Sequence, residues 1–125
     1  MTDSAPLSPL HGKVALITGA GQGIGQGIAF SLAKRGVSIV AVGRTLGKCE
    51  KTVADIAARF GGKAVAIEYD LSDLDGLDEL MGRAVDAFGR LDILVNNAVT
   101  TTINTIMETS LEDFEKGLKV GPMAT

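Results

Sequence analysis

The sequence contains few of the residues that mark several common classes of protein. Its 125 residues include one cysteine, one histidine, one tyrosine and no tryptophan. The single cysteine, Cys49, excludes an internal disulfide, which fits a reducing cytoplasm, and no metal site is expected. The net charge is −3 and no basic run is present, so nucleic acid is not expected as a partner.

Long apolar runs are missing too. The longest, such as Val14–Ile17, fall far short of a membrane span, so no membrane association is expected. The segment Met1–Pro9 has no basic residues ahead of an apolar stretch, and it therefore lacks the pattern of a signal peptide. We expect residues 1–10 to form a disordered lead-in and residues 11–125 to form one domain.

Short runs of aliphatic residues alternate with helical patterns through the rest of the sequence. Strands are predicted over residues 13–18, 37–42, 64–69 and 91–96, and helices over residues 24–35, 46–60, 72–88 and 110–121. Ser72 with Asp75 is expected to cap the start of the third helix. Ser110 with Asp113 is expected to cap the fourth, which should end at Gly121–Pro122. This β-α alternation predicts a doubly wound α/β fold with a parallel sheet.

A glycine-rich segment, Thr18–Gly25, joins the first predicted strand to the first predicted helix. A strand that turns sharply into a helix leaves free N–H groups and the positive end of the helix dipole at the turn. Glycines there let a phosphate approach the main chain, because no Cβ blocks the way. The segment is not a P-loop, since no Lys-Ser or Lys-Thr pair follows the last glycine. It also lacks the stricter G-x-G-x-x-G spacing.

Three motifs in this order resemble the short-chain dehydrogenase/reductase family. They are Thr18–Gly25 after the first strand, Tyr69-Asp70-Leu71 after the third and Asn96-Asn97-Ala98 after the fourth. The sequence that leads into the last motif, Gly89–Val95, is also typical of the family. The resemblance implies a Rossmann-like domain of an NAD(P)(H)-dependent oxidoreductase. Such enzymes transfer hydride between nicotinamide and a small-molecule carbonyl or alcohol substrate.

The same resemblance assigns the cofactor-binding residues, all of them after the ends of strands. They are Thr18, Gly19, Gln22, Gly23, Ile24, Gly25, Arg44, Asp70, Leu71, Asn97 and Ala98. Gly19, Gly23 and Gly25 would form the phosphate turn, and Asp70 would accept a hydrogen bond from the adenine amino group. Leu71 would add a backbone contact. Asn97 and Ala98 would lie along the cofactor and brace the sheet.

The end of the second strand bears on the choice between NADP(H) and NAD(H). An acidic residue at such a strand end binds the ribose diol of NAD and repels a 2′-phosphate. This sequence has Gly43 there, followed by Arg44, whose planar guanidinium pairs well with phosphate. NADP(H) is therefore the favoured cofactor, while NAD(H) stays possible.

No catalytic residue is predicted in the sequence. The family uses a Ser and a Tyr-x-x-x-Lys pair, but Tyr69 is followed four residues later by Asp73 and no Ser comes after Ser110. We therefore expect an N-terminal half, truncated before the catalytic part, which shows no turnover alone and forms a homo-oligomer. Two departures from the family pattern are Val99, where glycine is usual, and Val120–Pro122, where an asparagine is expected.

Two other classes of function share features of this sequence. A non-catalytic nucleotide-binding module, used for redox sensing or assembly, is the alternative to an oxidoreductase. A methyltransferase that binds S-adenosylmethionine also has a glycine turn after its first strand, but Asp70-Leu71, Asn96-Asn97 and Arg44 together disfavour it. The substrate cannot be inferred from these residues.

Overall fold

The computed structural model describes residues 7–100 and 104–125. Four strands lie side by side in one parallel sheet: β1 (Val14–Thr18), β2 (Ser38–Gly43), β3 (Ala64–Glu68) and β4 (Ile93–Val95). Their order across the sheet is β3-β2-β1-β4. The predicted doubly wound α/β fold is therefore confirmed, with strand bounds that differ from the prediction by one or two residues at several ends.

Helices connect the strands and cover both faces of the sheet. They are α1 (Gly23–Lys34), α2 (Leu46–Phe60), α3 (Leu77–Phe88) and α4 (Leu111–Leu118). Successive side chains of a strand point to opposite faces, so β1 supplies both layers. Ala15 and Ile17 are buried with residues of α1 and α2, whereas Val14 and Leu16 are buried with residues of α3. A strand covered on both faces explains the unbroken apolar run in the sequence.

The predicted cap of the third helix is wrong. A short 3-10 turn, Leu74–Gly76, precedes α3, and Gly76 is the residue before its first turn. The Ser72 hydroxyl instead donates to Oδ1 of Asp70 at 2.8 Å. The same Oδ1 also accepts from the amide of Ser72 at 2.9 Å, and this local turn of the chain replaces the expected helix cap.

The predicted end of the fourth helix is also wrong. Ser110 does cap α4, since its Oγ accepts from the amide of Asp113 at 3.0 Å. The helix then continues as a wider π turn, Lys119–Met123, with Pro122 inside it. A proline has no N–H to donate and its ring crowds the preceding turn, and the wider spacing of a π turn relieves that crowding.

Part of the predicted lead-in packs on the domain. Leu10 lies against the core layer beneath α1 and α2. The amide of His11 donates to the carbonyl of Ser8 at 2.9 Å and forms a turn. Residues 1–6, where the rest of that prediction falls, lie outside the described residues.

Candidate functional site

The strand order creates a topological switch point between β1 and β4. From β1 the chain continues to β2 and β3 on one side, and it then crosses to the other side to form β4. The loops after β1 and β4 therefore diverge and leave a crevice at the carboxyl ends of the strands. Open α/β sheets bind their ligands in such crevices. Residues 19, 21–24 and 97–100 line this one.

Thr18, the last residue of β1, joins the two sides of the crevice. It is only 5% exposed, and its Oγ1 accepts hydrogen bonds from the amides of Asn97 and Ala98, each at 3.0 Å. The same hydroxyl lies 3.4 Å from the carbonyl oxygen of Val95, to which it donates. In return, Nδ2 of Asn97 donates to the carbonyl oxygens of Thr18 at 3.0 Å and Gly19 at 3.3 Å. These contacts fix the end of β4 to the end of β1.

Two of the predicted glycines have no room for a side chain. Gly19 has φ +69°, in the left-handed region that side chains disfavour, and a Cβ there would lie 2.9 Å from Nδ2 of Asn97. Gly25 is buried, and a Cβ on it would overlap the Gly19 carbonyl and lie 2.5 Å from the same Nδ2. Gly19 and Gly25 therefore let the turn, the first helix and the loop after β4 pack closely.

Gly23 has a different role, because the space beside it is open. Apart from the neighbouring residues and the backbone of α1 itself, no heavy atom of the described residues lies within 4 Å of a Cβ built on Gly23, the first residue of α1. The first amides of a helix have no partner within it, and the side chain of Gln22 makes no capping hydrogen bond to them. Free N–H groups, a positive helix end and open space together form a site for an anion.

The second helix supports the glycine turn from behind. Thr52 of α2 is fully buried, and its hydroxyl donates to the carbonyl of Ala20 at 3.0 Å. Nε2 of Gln26, on α1, donates to the same hydroxyl at 3.2 Å. The backbone of the turn is thus held by a residue 32 positions away, and nothing in the local sequence indicated this contact.

The crevice is a cleft of about 380 Å³, within the size range of small-molecule sites. Eight of the eleven predicted residues line it: Gly19, Gln22, Gly23, Ile24, Arg44, Leu71, Asn97 and Ala98. The other three adjoin it. Thr18 and Gly25 lie behind its wall, where they hold the backbone, and Asp70 lies beside Leu71 at its edge.

Asp70 is an exposed carboxylate held in one orientation. Its Oδ1 accepts from the amide of Ser72 at 2.9 Å and from the hydroxyl of Ser72 at 2.8 Å. These two bonds, the amide first, lower the pKa of Asp70, and the charge of Arg44 lowers it further. The carboxylate therefore stays ionised at neutral pH, with its second oxygen available to accept a hydrogen bond from a ligand.

Several residues that line the cleft were not predicted as binding residues. Lys48 and Cys49 come from the start of α2, Tyr69 directly follows β3, and Val120 comes from the π turn after α4. The Tyr69 hydroxyl donates to the carbonyl of Asp73, and burial, the largest cause, raises the pKa of the phenol. A phenol with a raised pKa is a poor proton acceptor at neutral pH.

The two departures from the family pattern both adjoin the cleft. Val99 lines it with 76% of its surface exposed, so its isopropyl group occupies space at the end of the cleft beyond Ala98. Val120 is buried in the core layer beneath α3 and presents an apolar side chain to the cleft. An apolar side chain therefore stands at position 99, where the family pattern has a glycine, and none of residues 120–122 carries the amide of an asparagine.

The described part of the chain holds neither a cluster of metal-ligating side chains nor a helix of membrane-spanning length. Within residues 7–100 and 104–125, no group of three or more His, Cys, Asp or Glu side chains is placed to hold a metal ion. Over the same part of the chain, no helix is long and apolar enough to cross a membrane.

Comparison with known sequences agrees with this geometry. The family model described as "short chain dehydrogenase" matches residues 13–125. A hydroxynaphthalene reductase-like protein of Metarhizium acridum is 42% identical over 115 residues, which are 92% of this chain and 43% of that protein. The chain thus spans less than half the length of the curated relatives it matches.

Solved structures show the same similarity in three dimensions. The L-sorbose reductase of Gluconobacter frateurii, in complex with NADPH and L-sorbose, superposes with a TM-score of 0.84 at 36% identity. The match covers 92% of this chain and 44% of that one. A 3-ketoacyl-(acyl-carrier-protein) reductase of Brucella melitensis, in complex with NADH, gives 0.79 at 37% identity, covering 89% and 44%.

Proposed function

Since the chain belongs to the short-chain dehydrogenase family, we propose that it is the cofactor-binding part of an NAD(P)(H)-dependent oxidoreductase. The whole protein would act on a small-molecule carbonyl or alcohol. The observation that carries the proposal is the cleft at the switch point, where the free amides at the start of α1 face open space beside Gly23. A nicotinamide cofactor bound there supplies or accepts the hydride.

The residues of the cleft fit such a dinucleotide. The amides at the start of α1 would bind the pyrophosphate. Asp70, kept ionised by Ser72, would accept from the adenine amino group, and Leu71 would add a backbone contact. Asn97 and Ala98, fixed to Thr18, would contact the nicotinamide half of the cofactor.

We infer that NADP(H) is preferred to NAD(H). Gly43 ends β2 without an acidic side chain, and Arg44 lines the cleft just beyond it. Among the similar structures, one contains NADPH and another NADH, so the family alone supports either cofactor. The preference rests on the charge of Arg44 and on the missing acid.

Calorimetric titration of the chain with NADP⁺ and NAD⁺ tests both parts of the proposal. Arg44→Ala should weaken NADP⁺ by about 1–3 kcal/mol, the range for a hydrogen bond to a charged group, and leave NAD⁺ nearly unchanged. Arg83→Ala, which removes an exposed arginine of α3, is the matched control. An equal loss for both cofactors in the Arg44 variant would refute the preference.

The glycine turn calls for a variant that still folds. Gly23 has φ +57° and free space around it, and asparagine tolerates this region better than other side chains. Gly23→Asn should therefore retain the circular dichroism spectrum while its side chain occupies the phosphate position, so that neither cofactor binds. Normal affinity in a folded variant would show that the turn is not the phosphate site.

We further propose that this chain alone has no dehydrogenase activity, because Tyr69 has no lysine four residues later and its phenol is engaged by Asp73. Absorbance of NADPH should stay constant across a panel of carbonyl compounds. We propose that the protein forms a homo-oligomer, because apolar side chains of α4 are exposed. We also propose a cytoplasmic location, which the free thiol of Cys49 supports. Cofactor binding without turnover in the complete protein would instead favour a non-catalytic nucleotide-binding module.

A further inference from the structure

We propose that Lys48 is a second residue that selects NADP(H), by binding the 2′-phosphate of the adenosine ribose together with Arg44. The proposal rests on the cofactor site proposed above and names a residue of that site outside the family motifs. The observation that carries it is the position of the ammonium group. Nζ of Lys48, on α2, lies 2.7 Å from Oε1 of Gln22 in the glycine turn, and both residues line the cleft.

The backbone brings Lys48 to this position. Lys48 is in the first turn of α2, which packs on the glycine turn so closely that a Cβ on Gly21 would lie 2.8 Å from Cβ of Lys48. The stem of the lysine therefore crosses the turn. Its ammonium lies at the lip of the cleft, beside the residue that precedes α1. Arg44, at the end of β2, lines the same cleft.

The charges around the two cations differ. Arg44 is close enough to Asp70 to lower the pKa of that carboxyl, so part of the positive potential of Arg44 is offset by a carboxylate. Lys48 binds a neutral amide, and no ion pair involves it within the described residues. An ammonium has three donors, and Gln22 takes one, so two are free for phosphate oxygens. Lys48 is thus the less compensated cation of the cleft.

Gln22 acts as the positioning residue for this cation. A neutral amide oxygen fixes the direction of the ammonium without cancelling its charge, which a carboxylate at the same place would do. Gln22 is predicted to bind the cofactor, and this contact suggests that it does so through Lys48. Gln22 would hold Lys48 toward the ribose while the amides behind it bind the pyrophosphate.

Three variants of the chain separate this role from a structural one. Lys48→Met keeps the apolar stem on the glycine turn and removes the charge. Lys48→Arg retains the charge. Lys51→Met removes an exposed lysine of the same helix that does not line the cleft, and it is the matched control. Affinities for NADP⁺, NAD⁺ and 2′,5′-ADP are measured by calorimetry, and circular dichroism verifies the fold.

Lys48→Met should weaken NADP⁺ and 2′,5′-ADP about tenfold, which corresponds to about 1.4 kcal/mol, and should leave NAD⁺ unchanged. Lys48→Arg and Lys51→Met should bind like the parent chain. Gln22→Glu should also weaken NADP⁺ selectively, because its carboxylate pairs with Lys48 and repels the phosphate. The advantage of NADP⁺ over NAD⁺ should shrink as ionic strength rises.

Three other results would overturn the inference, and each has a different consequence for the proposed cofactor site. Unchanged NADP⁺ affinity in Lys48→Met would show that Arg44 acts alone, while the proposed cofactor site would stand. An equal loss for NADP⁺ and NAD⁺ would place Lys48 at the pyrophosphate instead. If the parent chain bound neither dinucleotide, the proposed function would fail and this inference with it.

Discussion

Replacement of Thr18 by valine should destabilise the domain by breaking the link between β1 and β4. Valine has nearly the shape of threonine but replaces the hydroxyl with a methyl group. The amides of Asn97 and Ala98, each 3.0 Å from Oγ1, would both lose their acceptor in a region that is only partly open to water. The bond from the hydroxyl to the carbonyl of Val95 would be lost as well.

The size of the loss follows from these contacts. A donor left without a partner in a buried place costs about 1–3 kcal/mol, and the partial exposure of both amides puts each in the lower half of that range. Thr18→Val should therefore lower the free energy of unfolding by about 2–4 kcal/mol. With a slope of about 2 kcal/mol per molar, the urea midpoint should fall by about 1–2 M.

Thr18→Ser is the matched control, because it keeps the hydroxyl and loses one methyl group, at a cost of about 1 kcal/mol. All variants are unfolded at one protein concentration, since association also contributes to stability. Exchange of the amide hydrogens of Asn97 and Ala98 should be faster in the valine variant. If the valine and serine variants unfold at the same midpoint, Thr18 does not hold the two strand ends together.

Three further outcomes are expected. Thr52→Val should lower the free energy of unfolding by about 1–3 kcal/mol in urea, because the buried carbonyl of Ala20 loses its donor, while Thr52→Ser should lose less. Asp92 has a pKa lowered by Arg90 first and then by the amide of Val14. Its contribution to stability is therefore complete above the unfolded pKa and is lost as pH falls through the folded pKa. In Asp92→Asn, the melting temperature should therefore depend less on pH below about pH 4 than in the parent chain. Light scattering should show association of the chain through α4, where Phe114 is 60% exposed, and Phe114→Ser should reduce it.

The architecture was predictable because it depends on patterns that repeat along the chain. Each strand is a short aliphatic run, and glycines end two of the helices with a left-handed residue, as at Gly61 and Gly89. The errors came where a residue had two possible partners. Ser72 could cap a helix or bind Asp70, and only the path of the chain after β3 decides between them. Pro122 could end a helix or lie in a wider turn, and packing of Val120 in the core favours the second.

The candidate site divides in a similar way. Residues of the motifs, such as Gly19 and Asn97, were assigned because the motif itself carries the chemistry. Lys48 and Thr52 were missed because their importance comes from the packing of α2 on the glycine turn. The helical spacing of apolar residues shows which face of α2 is buried, but it does not show which loop the first turn of α2 contacts.

The glycine turn is usually explained by the space that it leaves for a phosphate, and Gly23 fits that account. Gly19 and Gly25 have another role here, because any Cβ on them would meet the side chain of Asn97, which belongs to the opposite side of the switch point. Asn97 in turn binds the backbone of Thr18 and Gly19. The motif after β1 and the motif after β4 are thus two halves of one contact. Each glycine that admits the asparagine also fixes where the loop after β4 must lie, so the crevice that receives the cofactor is shaped before any cofactor binds.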